Sequence, residues 1–340
     1  MKKLLFICLS LSFIFCSNSD SITEYYNASD IITGEIAIEY SKTITPEDLK
    51  THLYIIASDE FEGRDTGEPG QKLAAEYLKD FYKSQNIASP LGGDDYFQDI
   101  STEHLRPNLK PSENVVAFIE GSEKPDEIIV ISAHFDHVGQ TGEEIFNGAD
   151  DDGSGTVAIM KIAEAFQNAA KNGNGPKRSI LFLHVTGEEK GLLGSAYYVK
   201  YPIFPLKNTV ANLNIDMIGR VDEAHTNNPD FVYLIGSDKL STELHEISEA
   251  INTKFTNLTL DYTYNDDNDP NRFYYRSDHY NFAKNNIPII FYFNGTHEDY
   301  HRPSDTPDKI NYEVLAKRTQ LVFFTAWELA NRNERIVVDK

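Results

Sequence analysis

The chain has 340 residues, enough to bury a sizeable core in one large domain or two small ones. With 40% hydrophobic and 25% charged residues it has the composition of a folded globule, not of a disordered segment. Acidic residues outnumber basic ones 53 to 31, for a formal charge of -22, and a surface this acidic lacks the basic face a polyanion needs, which sets nucleic acid aside as a partner.

Lys2 and Lys3 precede an apolar run from Leu4 to Phe15, too short to span a bilayer as a helix and of the form of an export leader. Cys16 and the polar Ser17-Asn18-Ser19-Asp20 follow, in the pattern of a bacterial lipoprotein processing site, although Phe15 stands where a small residue belongs. The expectation is a signal peptide over residues 1–15 and a lipid anchor at Cys16, the chain's one contact with a membrane, holding it in the cell envelope. A plain cleaved leader or an uncleaved anchor are the alternatives. Cys8 and Cys16 are the only cysteines, so the body of the chain has no disulfide framework. Residues 17–43 are polar without a clear period and read as a tether.

The folded domain is expected over 44–340. Thr45-Pro46-Glu47-Asp48 supplies an N-cap, a proline at the first helical position and an acidic first turn, with Leu49, Leu53 and Ile56 at helical spacing behind it. A second helix follows Pro69-Gly70. Runs that read as strands buried on both faces come next, at Val115 to Ile119, Ile128 to Ser132 and Ile180 to Val185, with a helical pattern through Val157, Met160 and Phe166 before the last. The alternation continues with a helix near 192–200, strands at 210–215, 231–235 and 289–293, and helices near 243–253 and 312–331. Such a pattern predicts a single α/β domain with a largely parallel central sheet flanked by helices.

The informative residues fall just past the strand ends, where open α/β sheets place their sites. His134 closes one strand, Asp151 lies in the glycine-flanked segment opening the next helix, Glu188-Glu189 and Asp216 follow two further strands, and Tyr300-His301 follow the last. Imidazole and carboxylate donors without thiolates suit zinc or another borderline divalent ion. Five such ligands exceed one tetrahedral site with an open position and fit two metals with one carboxylate bridging. Each piece alone has a plainer reading, paired acids as a solvated turn and Asp150 to Asp152 as a helix N-terminus favoured by the macrodipole.

His134-Phe135-Asp136, Gly148 to Gly155, Glu188 to Ser195, Asn214-Ile215-Asp216, Ser277-Asp278-His279 and Tyr300 to Thr306, taken in order, resemble the M28 family of zinc peptidases, which includes bacterial aminopeptidases. The resemblance implies a mixed, largely parallel central sheet flanked by helices. It also implies two zinc ions per chain, His134 and Glu189 as terminal ligands of one, Asp216 and His301 of the other, and Asp151 as the bridge. It implies Glu188 as general base and Asp136 as the acid that orients His134. A phenol is expected to stabilise the oxyanion, and of Tyr274 and Tyr300 the first is preferred. The expected substrate is a peptide with a free N-terminus. The alternatives are a glutaminyl cyclase-like acyltransferase, weakened because Tyr300 stands where that group resembles Trp-His, a carboxypeptidase or dipeptidase, and a non-catalytic binding homologue. Loops 221–230 and 264–276 are expected to close the specificity pocket. Arg220 and Arg276 are candidates to bind a substrate carboxylate, against the commoner fate of an arginine in a salt bridge. The sequence says nothing of the oligomeric state.

Overall fold

The structure, a computed structural model, describes residues 29–340. Residues 1–15, where a leader is expected, and Cys16 lie outside the described residues. Strands β1 (Phe97–Ile100), β2 (Ser112–Ile119), β3 (Lys124–His134), β6 (Arg178–Val185), β7 (Thr209–Ile215), β8 (Phe231–Ile235), β9 (Thr259–Asp261) and β10 (Ile289–Phe293) form an eight-stranded sheet in the order β1-β2-β6-β3-β7-β10-β8-β9. Between β3 and β6 in the chain, β4 (Gly139–Thr141) and β5 (Glu144–Phe146) make a separate hairpin. The central strands β6, β3, β7 and β10 all run parallel, while β2 is antiparallel to both β1 and β6, and β8 is antiparallel to β10 and parallel to β9. The sheet is therefore mixed and largely parallel, as the family resemblance implies.

Helices α1 (Glu35–Ser41), α2 (Pro46–Ile56), α3 (Pro69–Gln85), α4 (Gly155–Lys171), α5 (Leu193–Lys200), α6 (Thr242–Ile251), α7 (His279–Ala283) and α8 (Tyr312–Asn331) flank the sheet. Their ends follow the local chemistry. The Thr45 side chain accepts the Asp48 N–H at 3.2 Å to start α2, and Ser241 and Asn311 cap α6 and α8 in the same way. Val157, Met160 and Phe166 of α4 are fully buried against the sheet, as are Leu315, Val322 and Phe323 of α8. Each such side chain contributes about 1.5–3 kcal/mol relative to exposure. Among the described residues no helix is long and apolar enough to cross a membrane.

The tether expected over 17–43 is corrected at its distal end. Ile31, Ala37 and Tyr40 are buried, Tyr40 stacks on Trp327 with ring centroids 5.9 Å apart, and Thr33 donates its N–H and hydroxyl to Glu328 at 2.9 and 2.8 Å. The domain thus begins before Thr45. So few apolar residues dock this segment that no period is visible; what holds it is a complementary surface made by α4 and α8.

Candidate active site and metal centre

Because β6, β3, β7 and β10 are parallel neighbours, their carboxyl ends open onto one edge of the sheet. His134 is the last residue of β3 and pairs in register with Val185 at the end of β6; Ile215, the end of β7, pairs with Tyr292 of β10. Glu188-Glu189, Asp216 and His301 leave these ends, and the segment opening α4 brings in Asp151.

Two clusters result, sharing Asp151. In one, His134 Nε2 lies 3.2 Å from Asp151 Oδ1 and 3.7 Å from Asp216 Oδ1. In the other, His301 Nε2 lies 3.0 Å from Asp151 Oδ2 and 3.1 Å from Glu189 Oε1. The two oxygens of Asp151 face different imidazoles, the geometry of a bridging carboxylate. All five residues that the sequence singles out as ligands meet here, but their grouping is redrawn: His134 faces Asp216, and Glu189 faces His301. β3 lies between β6 and β7, so strand order offers His134 either acid, and side-chain direction selects the one on β7.

His137 joins the second cluster unannounced by the sequence reading. It is fully buried, its Nδ1 is 3.0 Å from Glu189 Oε1 and 3.8 Å from Asp151 Oδ2, and its ring meets that of His301 edge-on. The signal was the second histidine of His134-Phe135-Asp136-His137, three residues along the same strand exit. Arg64 was also missed. It is fully buried and donates to the carbonyls of Ile56, Phe135, Asn147 and Gly148, tying the end of β3 to the approach of the Asp151 segment. Burial lowers its pKa to about 10, which still leaves it charged at neutral pH. A lone arginine far back in the chain carries no signal of this.

The orientation of His134 needs a second correction. Its Nδ1 donates to the backbone carbonyl of Asp136 at 2.9 Å, whereas the Asp136 carboxylate is 3.8 Å away. That carboxylate instead accepts the Glu188 N–H at 3.2 Å and the Thr66 hydroxyl at 3.0 Å, fixing the turn that presents Glu188 and Glu189. The bond to the carbonyl selects the tautomer whose Nε2 is free to accept a metal. The neighbouring acids have other work. Asp152 accepts the N–H groups of Gly155 and Met217, Asp150 accepts that of Gly219, and Asp305 accepts those of Asp150 and Asp151. They staple the bridging residue to the turn after β7. Gly155 is needed there, since a Cβ would stand 2.4 Å from the Asp152 carboxylate.

Several buried polar atoms at this edge have no hydrogen-bond partner: His134 Nε2, both nitrogens of His137, Asp151 Oδ2, Glu189 Oε1 and His301 Nε2. Leaving such groups unsatisfied is costly, and imidazole and carboxylate donors converging without thiolate meet the requirement of zinc. The residues fit the metal. Burial opposes ionisation of Asp151, yet His134 and His301 hold its carboxyl well below the usual range. Glu188 is displaced the other way: burial raises its pKa well above the usual range, and the charges of Glu189 and Asp216 add to this.

A narrow cleft with about 30 Å³ of free space opens beside these groups, lined at the metal end by Asp151, Glu188, Asp216 and Tyr300. Tyr300 stacks on His301 at 4.0 Å between ring centroids. Burial and the nearby carboxylates raise its phenol pKa, keeping it a donor. Tyr274, the tyrosine the sequence reading prefers, does not line this cleft. It packs among Tyr275, His279 and Tyr280 with Lys239 over its ring. The Ser277-Asp278-His279 segment holds it there: Asn214 donates to the Ser277 hydroxyl, and His279 Nε2 hydrogen-bonds the Tyr274 carbonyl at 2.8 Å. Of loop 264–276, Phe273 and Arg276 line the cleft, whereas Val221, Asp222, Glu223 and Thr226 line another cavity with His297.

The model of peptidase family M28 matches residues 114–326, more than half of the chain. The chain belongs to peptidase family M28. It is 26% identical over 295 residues to a probable aminopeptidase of Saccharomyces cerevisiae, covering 81% of this chain and 76% of that protein. It is 30% identical over 227 residues to a probable leucine aminopeptidase of Arthroderma otae, covering 65% of this chain and 58% of the relative's own length. A solved zinc aminopeptidase from Bacillus subtilis superposes on 86% of this M28 chain and 98% of its own, with a TM-score of 0.66 at 15% identity, so it shares the fold.

Proposed function

We propose that the chain is a zinc aminopeptidase with two metal ions, His134, Asp151 and Asp216 holding one and Asp151, Glu189 and His301 the other. The observation that carries this reading is the shared Asp151, whose two oxygens face His134 and His301 beside the half-buried Glu188. The names of the curated relatives support the choice of reaction. Bound there, zinc would lower the pKa of a water and polarise the scissile carbonyl.

The rest of the mechanism belongs to the chain. Glu188, its pKa raised by burial, takes the proton of the attacking water and returns it to the leaving amine. Tyr300, a phenol that stays protonated, donates to the oxyanion as it develops. His137 places its Nδ1 3.0 Å from Glu189 Oε1, in the same group of donors. The cyclase alternative finds no support, since Trp327 packs on Tyr40 and Phe166 in the core.

The test is to incubate zinc-loaded protein with a peptide in its free, N-acetylated and C-amidated forms. An aminopeptidase cleaves the first and third and fails on the second. Cleavage of the acetylated peptide with loss on the amidated one would replace this reading with a carboxypeptidase.

A further inference from the structure

The far part of the cleft differs from its metal end. Met217, Phe273, Phe291 and Phe293 make an apolar floor, all of them buried. Among the lining residues Arg276 is the sole cation, and it is exposed, with its guanidinium 4.7 Å over the Phe273 ring. A contact with the ring face leaves the guanidinium N–H donors unused.

Arg220 and Arg276 were equivalent candidates in the sequence, and the fold separates them. Arg220 donates to Asp299 at 2.9 Å and has Asp305 within 3.9 Å, so its charge is taken up by the protein. Among the described residues Arg276 has no carboxylate within salt-bridge distance, and no side-chain hydrogen bond engages it. A guanidinium stacked on Phe273 beside an apolar floor, in a strongly acidic protein, and paired with no acid among the described residues, is a donor fork presented to something that enters the cleft.

We propose that Arg276 reads a carboxylate of the substrate, so that the enzyme favours peptides carrying one within a residue of the scissile bond. Two sources share this chemistry: the side chain of an N-terminal Asp or Glu, its methylenes on the phenylalanine floor, and the free carboxyl group of a dipeptide. The proposal rests on the aminopeptidase reading and assigns its specificity.

The experiment compares kcat/KM of zinc-loaded wild type, Arg276→Gln and Arg276→Lys on four substrates: glutamyl and leucyl p-nitroanilide, and Leu-Gly with and without C-terminal amidation. Arg276→Gln is expected to lower one ratio, glutamyl to leucyl anilide or dipeptide to dipeptide amide, about tenfold through KM, with Arg276→Lys intermediate. The ratio that moves identifies the source of the carboxylate. Both ratios unchanged, or an equal loss on all four substrates, would overturn the assignment while leaving the aminopeptidase intact. Failure of the wild type on all four would overturn both readings.

Discussion

His134 and His184 sit on adjacent strands one register step apart, β3 and β6, and are both almost wholly buried. They respond to burial in opposite ways. Burial alone pushes His184 down to about 3, and its Nε2 lies 2.6 Å from the Tyr82 hydroxyl. For His134 burial acts in the same direction, but the carboxylates of Asp151 and Asp216 outweigh it and raise the pKa well above the ordinary value. Its Nε2 has no hydrogen-bond partner. Burial does not make a histidine functional; what matters is whether the residue stands at a strand end where other loops deliver acids or inside the sheet where hydrocarbon and a phenol enclose it.

The strongest way to break this contrast is at the acid that no imidazole satisfies. Glu188→Gln keeps the shape of the strand-end cluster and removes its proton carrier, so kcat on an unblocked peptide should fall about 10²–10⁴-fold while zinc content by elemental analysis stays that of wild type. Retention of most activity would remove Glu188 from the chemistry. Next in size is the pair of tyrosines. Tyr300→Phe should lower kcat about 10²–10³-fold, whereas Tyr274→Phe, outside the cleft, should change it little. The reverse ranking in steady-state kinetics would restore Tyr274.

The smallest effect lies on the structural side. Unfolded, His184 takes a proton near pH 6.5; folded, it does so only near 3. Between these values the unfolded chain binds the extra proton, so stability drops as pH falls, by about 1.4 kcal/mol per pH unit for one such group. His279, also depressed to about 3 by burial, adds a slope of the same sign. Urea unfolding of His184→Gln at several values between pH 7 and 5 should give a flatter dependence than wild type. Equal slopes would show that His184 does not carry the acid sensitivity.

Much of this was legible before any fold was known. The apolar runs at 128–132, 180–185, 210–215 and 289–293 are the four central parallel strands, because strands buried on both faces must be apolar throughout. Residues just past such runs gather at one edge, which is why His134, Glu188, Glu189, Asp216 and His301 could be named. Asp136 could be named but not placed: its carbonyl orients His134 and its carboxylate holds the Glu188 turn. Spacing gives proximity to a histidine, not which oxygen reaches it. Arg64 and α1 were invisible because their partners are carbonyls and surfaces contributed by distant segments.

The sequence by itself determined the class of chemistry. Donor types and their positions after buried strands specify a metal-dependent site on an α/β sheet, since those depend on local pattern and on the parallel order it implies. The tertiary structure decided the partnerships: His134 with Asp216, Glu189 with His301 and His137, Tyr300 in the cleft, Arg220 neutralised and Arg276 left to face a substrate. The physical reason is that charge pairing acts over a few ångströms between side chains far apart in the chain, and only packing sets those distances.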